Sequence, residues 1–422
     1  VRRKRNLVAG MVGNIVEHYD KALYGFLAPV LAPLFFGTKD RLSSLILAYS
    51  AYAFGFFFRP LGSLVLGRIG DRFGRKCALQ LSLCGMGFAT MLLGSLPTRA
   101  EIGAWAPVLL AMCWMLQNFF SAGEIVGGAI FVLEHAQAQK KSFFSSLFNA
   151  ATVKAILLAS ALVMLLTMFG VVEKYWRVLF WAGGLTALMG VFFRRFADEP
   201  QEFVMMRSRP KEKLRKILFH NRYALMAVIG AAGFTWTTYS LAFTLMIAYL
   251  PLVTSLSPAE VLSVNTALLG LDMVLLPCFG WLAQRTSNER VMLMAACTSC
   301  LVALPIYYLL NEANFAVVVG IRVVIVLLGV AFAAPYHAWA QELVAPQHRY
   351  TVLSLGYSLG SQLIGAPTTA VSLWMFQKTG WTGAPALYLM CSAALAAMAI
   401  AASASIKAKS KEALSKDLLG TI

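Results

Sequence analysis

The sequence predicts an all-α integral membrane protein, with twelve transmembrane helices in two six-helix bundles. Three observations carry that prediction. The 422 residues are 59% hydrophobic and 13% charged, with a mean hydropathy of +0.70; a soluble chain is typically about 45–50% apolar and about 25% charged. Twelve apolar runs follow one another, most of them at or above the about 20 residues that cross a hydrocarbon core. The runs are continuously apolar and do not alternate, which excludes a membrane barrel. Backbone groups in lipid must pair within their own segment, so runs of this length are helices.

The runs cover residues 7–36, 43–66, 77–97, 102–133, 143–170 and 175–193, then 223–250, 259–283, 291–310, 313–340, 351–376 and 382–406. Those longer than a bilayer is thick should tilt or protrude. The polar interval 194–222 divides them six and six. The expected units are therefore a bundle at 1–196, a linker at 197–222, a bundle at 223–406 and a tail at 407–422. Within the linker, DEPQEF carries a Pro that stops the preceding helix. KEKLRKILF has the pattern of a short basic amphipathic helix for an anionic leaflet, or of a solvated linker.

The net charge of +17 could suggest nucleic acid. Its placement points instead to topology. With the N-terminus inside, the external loops hold Lys39, Arg41, Arg99, Lys174, Arg177 and Lys378, and the runs hold Lys21, Arg59, Lys154 and Arg322. The rest of the 36 basic residues fall on one side, as cytoplasmic loops require. Both ends are then cytoplasmic, in a plasma (inner) membrane. RRKR at the start resembles a signal n-region, but the stretch behind it is too long and too charged for a cleaved leader. The seven Cys are expected to be reduced packing residues, with Cys297 and Cys300 lacking the second pair a zinc site needs.

The first run is the most informative. It reads GNIVEHYDKALYGF at 13–26 and carries four ionisable groups. A charge at the bilayer centre costs about 2.5–3.5 kcal/mol on insertion scales, so such groups face the protein interior, a partner or water. Asn14, Glu17, His18, Lys21 and Tyr24 share one helical stripe, with Asp20 beside it. Glu17 precedes Lys21 by four, the better order for an ion pair. Run four carries Gln117, Ser121, Glu124 and Gly128 on one face. Glu124 has no base within a turn and needs a partner elsewhere. Run five carries Asn149 and Lys154, about 140° apart on the helix; run eight carries Asn265 and Asp272; runs seven and eleven carry Thr235, Thr238, Tyr239, Tyr357, Ser361 and Gln362. Each has a competing structural reading, as ion pair, interhelical strut or helix glue. His337 and His348 are expected at the surface.

Between runs two and three stands GRIGDRFGRK, residues 67–76. It fits G-x-x-x-D-R-x-G-R-K without a mismatch and resembles the loop signature of the major facilitator superfamily. Gly67 and Gly70 permit close helix approach, Asp71 can accept from an Arg or a helix N-terminus, and Gly74 allows a tight turn. Arg72, Arg75 and Lys76 anchor the loop. The resemblance implies that Gly67, Asp71, Arg72, Gly74 and Arg75 form a gating loop that latches the halves in the outward-open state. Between runs eight and nine, GWLAQRTSNE at 280–289 is a degenerate second copy that keeps Gly280 and Arg285. Gln284, Ser287 and Asn288 replace the Asp, Gly and Arg, so the second latch is expected to be weaker or built from other groups. Equivalent loops in two six-run halves suggest a parallel repeat with a midplane site.

Further stretches resemble the metabolite:proton symporters of that superfamily, which include proline/glycine-betaine, 2-oxoglutarate, citrate and shikimate carriers. They are Gly13, Asn14, Glu17, Tyr19 and Asp20; Arg59-Pro60-Leu61-Gly62; SAGEIVGG at 121–128; YWRVLFWAGG at 175–184; DEPQEF; and HRYTVLSLGYSLG at 348–360. His18 and Lys21 depart from the family pattern. The resemblance implies a secondary active transporter of a small polar metabolite, driven by a proton gradient and needing no cofactor. Glu17, Asp20 and Glu124 are the proton-coupling candidates. Asn14, His18, Lys21, Tyr24, Gln117, Asn149, Lys154, Tyr239 and Tyr357 are the substrate-binding candidates. Two lysines in the runs favour an organic acid, a di- or tricarboxylate, with proline or betaine as the zwitterionic option. The expected partners are substrate, protons and lipid, with no nucleic acid, and a monomer suffices. The alternatives are a transport-inactive sensor on the same scaffold and a membrane-embedded enzyme. The enzyme is disfavoured because no H-E-x-x-H, no hydrolase nucleophile pattern and no clustered His is expected to supply its chemistry.

Overall fold

A computed structural model describes residues 2–37, 55–206, 212–310 and 313–419, and every regular element among them is helical. The first part of the second apolar run, with Lys39 and Arg41, lies outside the described residues. Cα clustering divides the chain into two compact units: residues 1–135 with 151–210, and 136–150 with 211–422. The division therefore does not fall at the linker alone. The segment 136–150, expected in the first bundle, groups with the second unit, and 197–210 groups with the first.

In the first unit, α1 (Arg2–Phe35), α2 (Arg59–Arg72), α3 (Arg75–Ser95), α4 (Trp105–Ser121) and α5 (Glu124–His135) follow in order. Next come α6 (Lys141–Met168), whose first turns belong to the second unit, and α7 (Val172–Arg195). The fourth apolar run is thus two helices, broken at Ala122 and Gly123. The helix α1 packs on α5 and α7, and α3 packs on α7 and α4. The outer half of α1 anchors an apolar core of Leu23, Tyr24, Leu27, Leu31 and Phe35 against Trp114, Trp176 and Phe180.

In the second unit, α8 (Leu214–His220) is the linker helix that KEKLRKILF predicts. It is followed by α9 (Arg222–Tyr239), α10 (Met246–Val253), α11 (Pro258–Arg285), α12 (Asn288–Leu309), α13 (Phe315–Ala333), α14 (Tyr336–Glu342), α15 (Arg349–Gly360), α16 (Thr368–Thr379) and α17 (Ala384–Leu419). A π-helical turn at Ser240–Leu245 joins α9 to α10, and another at Ser361–Gly365 leads from α15 towards α16. The helices α9 and α15 pack closely. A Cβ at Gly356 or Gly360 would strike Val228 or the Ile229 carbonyl across that contact.

Nine helices among the described residues are long and apolar enough to cross a membrane. Of the three remaining runs, the first and eleventh fall short for physical reasons. The first carries the charged stripe, and the eleventh is interrupted by its π turn and Pro367. Large apolar side chains such as Phe192, Leu301 and Met398 are exposed on helix faces, as lipid contact requires.

Candidate functional site

The charged groups of α1 are buried. Asn14, Glu17 and Asp20 have no exposed surface, whereas His18 and Lys21 are half-buried. They do not share one set of neighbours. Asn14 Nδ2 donates to Thr152 Oγ1 at 3.0 Å on α6. Glu17 Oε1 accepts from Lys21 Nζ and from Arg59 Nη2, the latter at 2.8 Å at the start of α2. Asp20 Oδ2 accepts from Thr90 Oγ1 at 2.6 Å on α3 and from Gln117 Nε2 at 3.4 Å on α4. His18 Nδ1 meets the Asn14 carbonyl at 2.9 Å. The single stripe read from periodicity therefore fans out to four helices, because each group follows the neighbour nearest its own azimuth.

The two acidic groups differ in kind. Glu17 is held by two cations. Asp20 has only the neutral donors Thr90 and Gln117, and no Lys or Arg of the described residues forms an ion pair with it. Gly183 lies against Asp20 Oδ1, where any Cβ would collide. Four buried polar atoms here have no hydrogen-bond partner among the described residues: Glu17 Oε2, Arg59 Nη1, Asp20 Oδ1 and Gln117 Oε1. They comprise two carboxylate acceptors, an amide acceptor and a guanidinium donor. A small zwitterion presents the complement of that set, a cationic nitrogen and a carboxylate.

Glu124 finds the partner that the sequence says it needs. Arg194, which opens the polar interval 194–222 in the sequence, is 2% exposed at the end of α7. It binds Glu124 through Nη1–Oε1 and Nη2–Oε2, both 2.7 Å, and also donates to the carbonyls of Ala9 and Leu79. Tyr24 is buried in the apolar core, edge-on to Trp114 at 4.4 Å. Lys154 is exposed on α6. In the second unit, Asn149 Nδ2 donates to the Ala333 carbonyl at 2.8 Å, Tyr357 Oη accepts from Trp236 Nε1 at 3.0 Å, and Tyr239 stacks near Phe243 at 4.9 Å.

Two expectations are corrected. His337 and His348 are not surface residues; they are 5% and 8% exposed. His337 sits among Phe148, Tyr336 and Tyr357, with ring centroids 5.0–6.1 Å away. It lies on α14, which packs against α12, α13 and α15. Residues 356–360 read GYSLG and match G-x-S-x-G, contrary to the expectation of no hydrolase pattern. That pattern works at a sharp strand-to-helix turn. Here it lies at the end of α15, and Ser358 is buried with no hydrogen-bond partner for its hydroxyl among the described residues.

The loop motif forms a charge network at the bundle's end. Arg75 donates to Asp71 Oδ1 at 2.5 Å, to the Gly70 carbonyl at 3.0 Å and to Glu134 Oε2 at 3.4 Å. Glu199 accepts from the backbone N–H groups of Arg75 and Lys76 at the start of α3. Burial pushes the Glu199 carboxyl up from its ordinary value, against the pull of those amides. Lys76 Nζ ties the carbonyls of Arg195 and Ala197 at 2.7 and 2.8 Å. Arg72 is exposed, over the Phe73 ring, and Gly67 is buried. In the second unit, Asn288 stands where Arg75 does in the first. It accepts from Ser142 at 2.7 Å and donates to Glu342 at 3.3 Å, and Lys407 binds both Glu289 and Glu342. The degenerate copy is therefore rebuilt from other polar groups.

The sequence model of the Major Facilitator Superfamily matches residues 11–367. The chain belongs to the Major Facilitator Superfamily. It is a multi-pass membrane transporter of the twelve-helix fold, not an enzyme. Among curated relatives, it is 27% identical over 410 residues to the proline/betaine transporter of Salmonella typhimurium, covering 93% of this chain and 81% of that protein. It is also 27% identical to a glycine betaine/proline/ectoine/pipecolic acid transporter of Dickeya dadantii, over 93% of this chain and 82% of that one. Among solved structures, the proton:xylose symporter XylE bound to a bromo-deoxyglucose shares the fold at a TM-score of 0.73, with 13% identity and 94% of each chain covered. The outward conformation of the superfamily transporter FucP matches at 0.70 and 13% identity, over 94% of this chain and 98% of that one. The Major Facilitator assignment agrees with the loop signature, and the named relatives agree with the narrower resemblance to metabolite:proton symporters.

Proposed function

We propose that this transporter carries a small zwitterionic osmolyte of the proline/betaine class by proton symport across a plasma (inner) membrane, with both ends of the chain cytoplasmic. The observation that carries the proposal is the pair of unlike carboxylates three residues apart on α1. Asp20 is buried with neutral donors only, so it is the group whose proton can come and go without breaking an ion pair. Glu17, Lys21 and Arg59 are the groups we assign to substrate. Glu17 Oε2 and Arg59 Nη1, which have no partner among the described residues, supply a negative charge for the cationic nitrogen and a donor for the carboxylate.

An organic acid fits less well. Lys21, the residue that suggested it, is already ion-paired with Glu17, and Lys154 is exposed. Glu124, sequestered by Arg194, is better read as a strut than as a proton carrier. The names of the relatives point to the same substrate class. The test is uptake into proteoliposomes under an imposed proton gradient, with labelled proline, betaine, 2-oxoglutarate and citrate. Gradient-driven accumulation of proline or betaine supports the proposal. Accumulation of a dicarboxylate instead, or binding without flux, overturns it.

A further inference from the structure

A cavity of about 1240 Å³ lies at the linker end of the second unit. Its walls are α8, one face of α9, the loop between α14 and α15, and the middle turns of α17 from Leu395 to Ile406. The lining changes character along α9. It begins at Lys216, His220 and Arg222 and continues past Met226 to Gly230, which is level with Leu395 of α17. From Arg222 to Gly230 the helix rises about 12 Å.

The polar end carries an excess of positive charge. Glu212 is the acidic residue in the lining, and it lies 3.6 Å from Lys216, which is 73% exposed. Arg222 makes no carboxylate contact among the described residues. Its guanidinium lies over the rings of Phe219 and Tyr223, 4.5 and 4.8 Å from their centroids. Those two rings are themselves 69% and 57% exposed. Aromatic rings and basic side chains at a helix end are the residues of a membrane–water boundary. The other end is apolar: Met226 and Met398 are more than half exposed, and Leu395 nearly so.

We propose that this cavity binds an anionic phospholipid, with its phosphate against Lys216 and Arg222 and one acyl chain along Met226, Leu395 and Met398 between α9 and α17. Basic pockets between transmembrane helices recognise such headgroups. A free phosphate would use the cations and leave the apolar slot unexplained. A zwitterionic lipid would leave the excess positive charge unmatched.

The experiment titrates the full-length protein in detergent with phosphatidylglycerol and counts retained lipid by native mass spectrometry. Each cation near an anionic surface contributes about fivefold, so K216A/R222A is expected to weaken retention about 25-fold. Ala399→Trp, which fills the apolar wall and leaves both cations, is expected to abolish retention of the intact lipid. Inorganic phosphate at equal concentration is expected to displace none. Unchanged retention in both variants overturns the proposal, as does equal retention of phosphatidylcholine or displacement by inorganic phosphate. The last two comparisons use the unaltered chain and decide the matter even if a variant fails to fold.

Discussion

Glu124 and Arg194 close a two-point ion pair directly over Gly13. A Cβ built at Gly13 would fall inside both the carboxylate and the guanidinium. The glycine of α1 is thus the niche in which α5 and α7 are pinned to each other. Removing one member of a buried pair costs about 3–5 kcal/mol, because the other charge is left unpaired. Glu124→Gln and Gly13→Ala should each lower the thermal unfolding midpoint in detergent markedly. Any Glu124→Gln protein that folds should still couple uptake to the proton gradient. A folded Glu124→Gln protein that exchanges substrate but cannot accumulate it would return Glu124 to the proton path.

Asp20→Asn should separate exchange from accumulation. The amide keeps the size and can still meet Thr90 and Gln117, but it cannot carry a proton. Counterflow of labelled substrate between loaded vesicles should persist, while gradient-driven accumulation should fall to the level seen without a gradient. Loss of both activities in a folded protein would place Asp20 in substrate binding instead.

Lys21 and Arg59 share Glu17 Oε1 but not its environment. The Arg59 side chain is 2% exposed and that of Lys21 11%. Arg59→Ala removes the more deeply buried of the two cations and leaves Glu17 to Lys21 alone, so it should cost the larger share of stability. Lys21→Ala leaves Glu17 paired to Arg59, so it should cost clearly less and act mainly on the KM for substrate. Comparing unfolding midpoints with KM values for the two variants checks the assignment; equal loss of stability would refute it.

Gly74 caps α3 at φ 121° and ψ 152°, a region that side chains essentially do not enter. The carboxylate of Glu199 lies where a Cβ would go, at 2.9–3.0 Å. Gly74→Ala should cost about 1–3 kcal/mol from backbone strain. It should also slow transport, by displacing Glu199 from the amides of Arg75 and Lys76. Chemical denaturation and initial uptake rates measure the two effects separately.

The helical class and the loop motif were legible because both are local. Run length fixes a crossing helix, and GRIGDRFGRK fixes a turn whose Asp71 and Arg75 are close enough in sequence to meet. The burial of Asn14, Glu17 and Asp20 was legible for the same reason, since charges in an apolar run must face inward. Their partners were not. Glu17 and Arg59 are 42 residues apart, and Asp20 and Thr90 are 70 apart. Helical period gives an azimuth on one helix and says nothing of which helix stands opposite. Tyr24 shows the limit: it shares the stripe of Lys21, yet it lies in the apolar core, because Trp114 of α4 packs against it there.

By itself, then, the sequence determined the membrane class, the two sets of runs, the superfamily and the presence of a charged first helix. Its arithmetic of apolar length and helical period suffices for those. Tertiary packing alone decided that Arg194, at the start of the polar interval, is a buried partner, that His337 is enclosed by rings, and that Asp20 meets only neutral donors among the described residues. A side chain's charge is written in the sequence. Whether that charge is neutralised depends on which helix is packed beside it, and that is settled by the fit of surfaces such as Gly13 on Glu124 and Gly183 on Asp20.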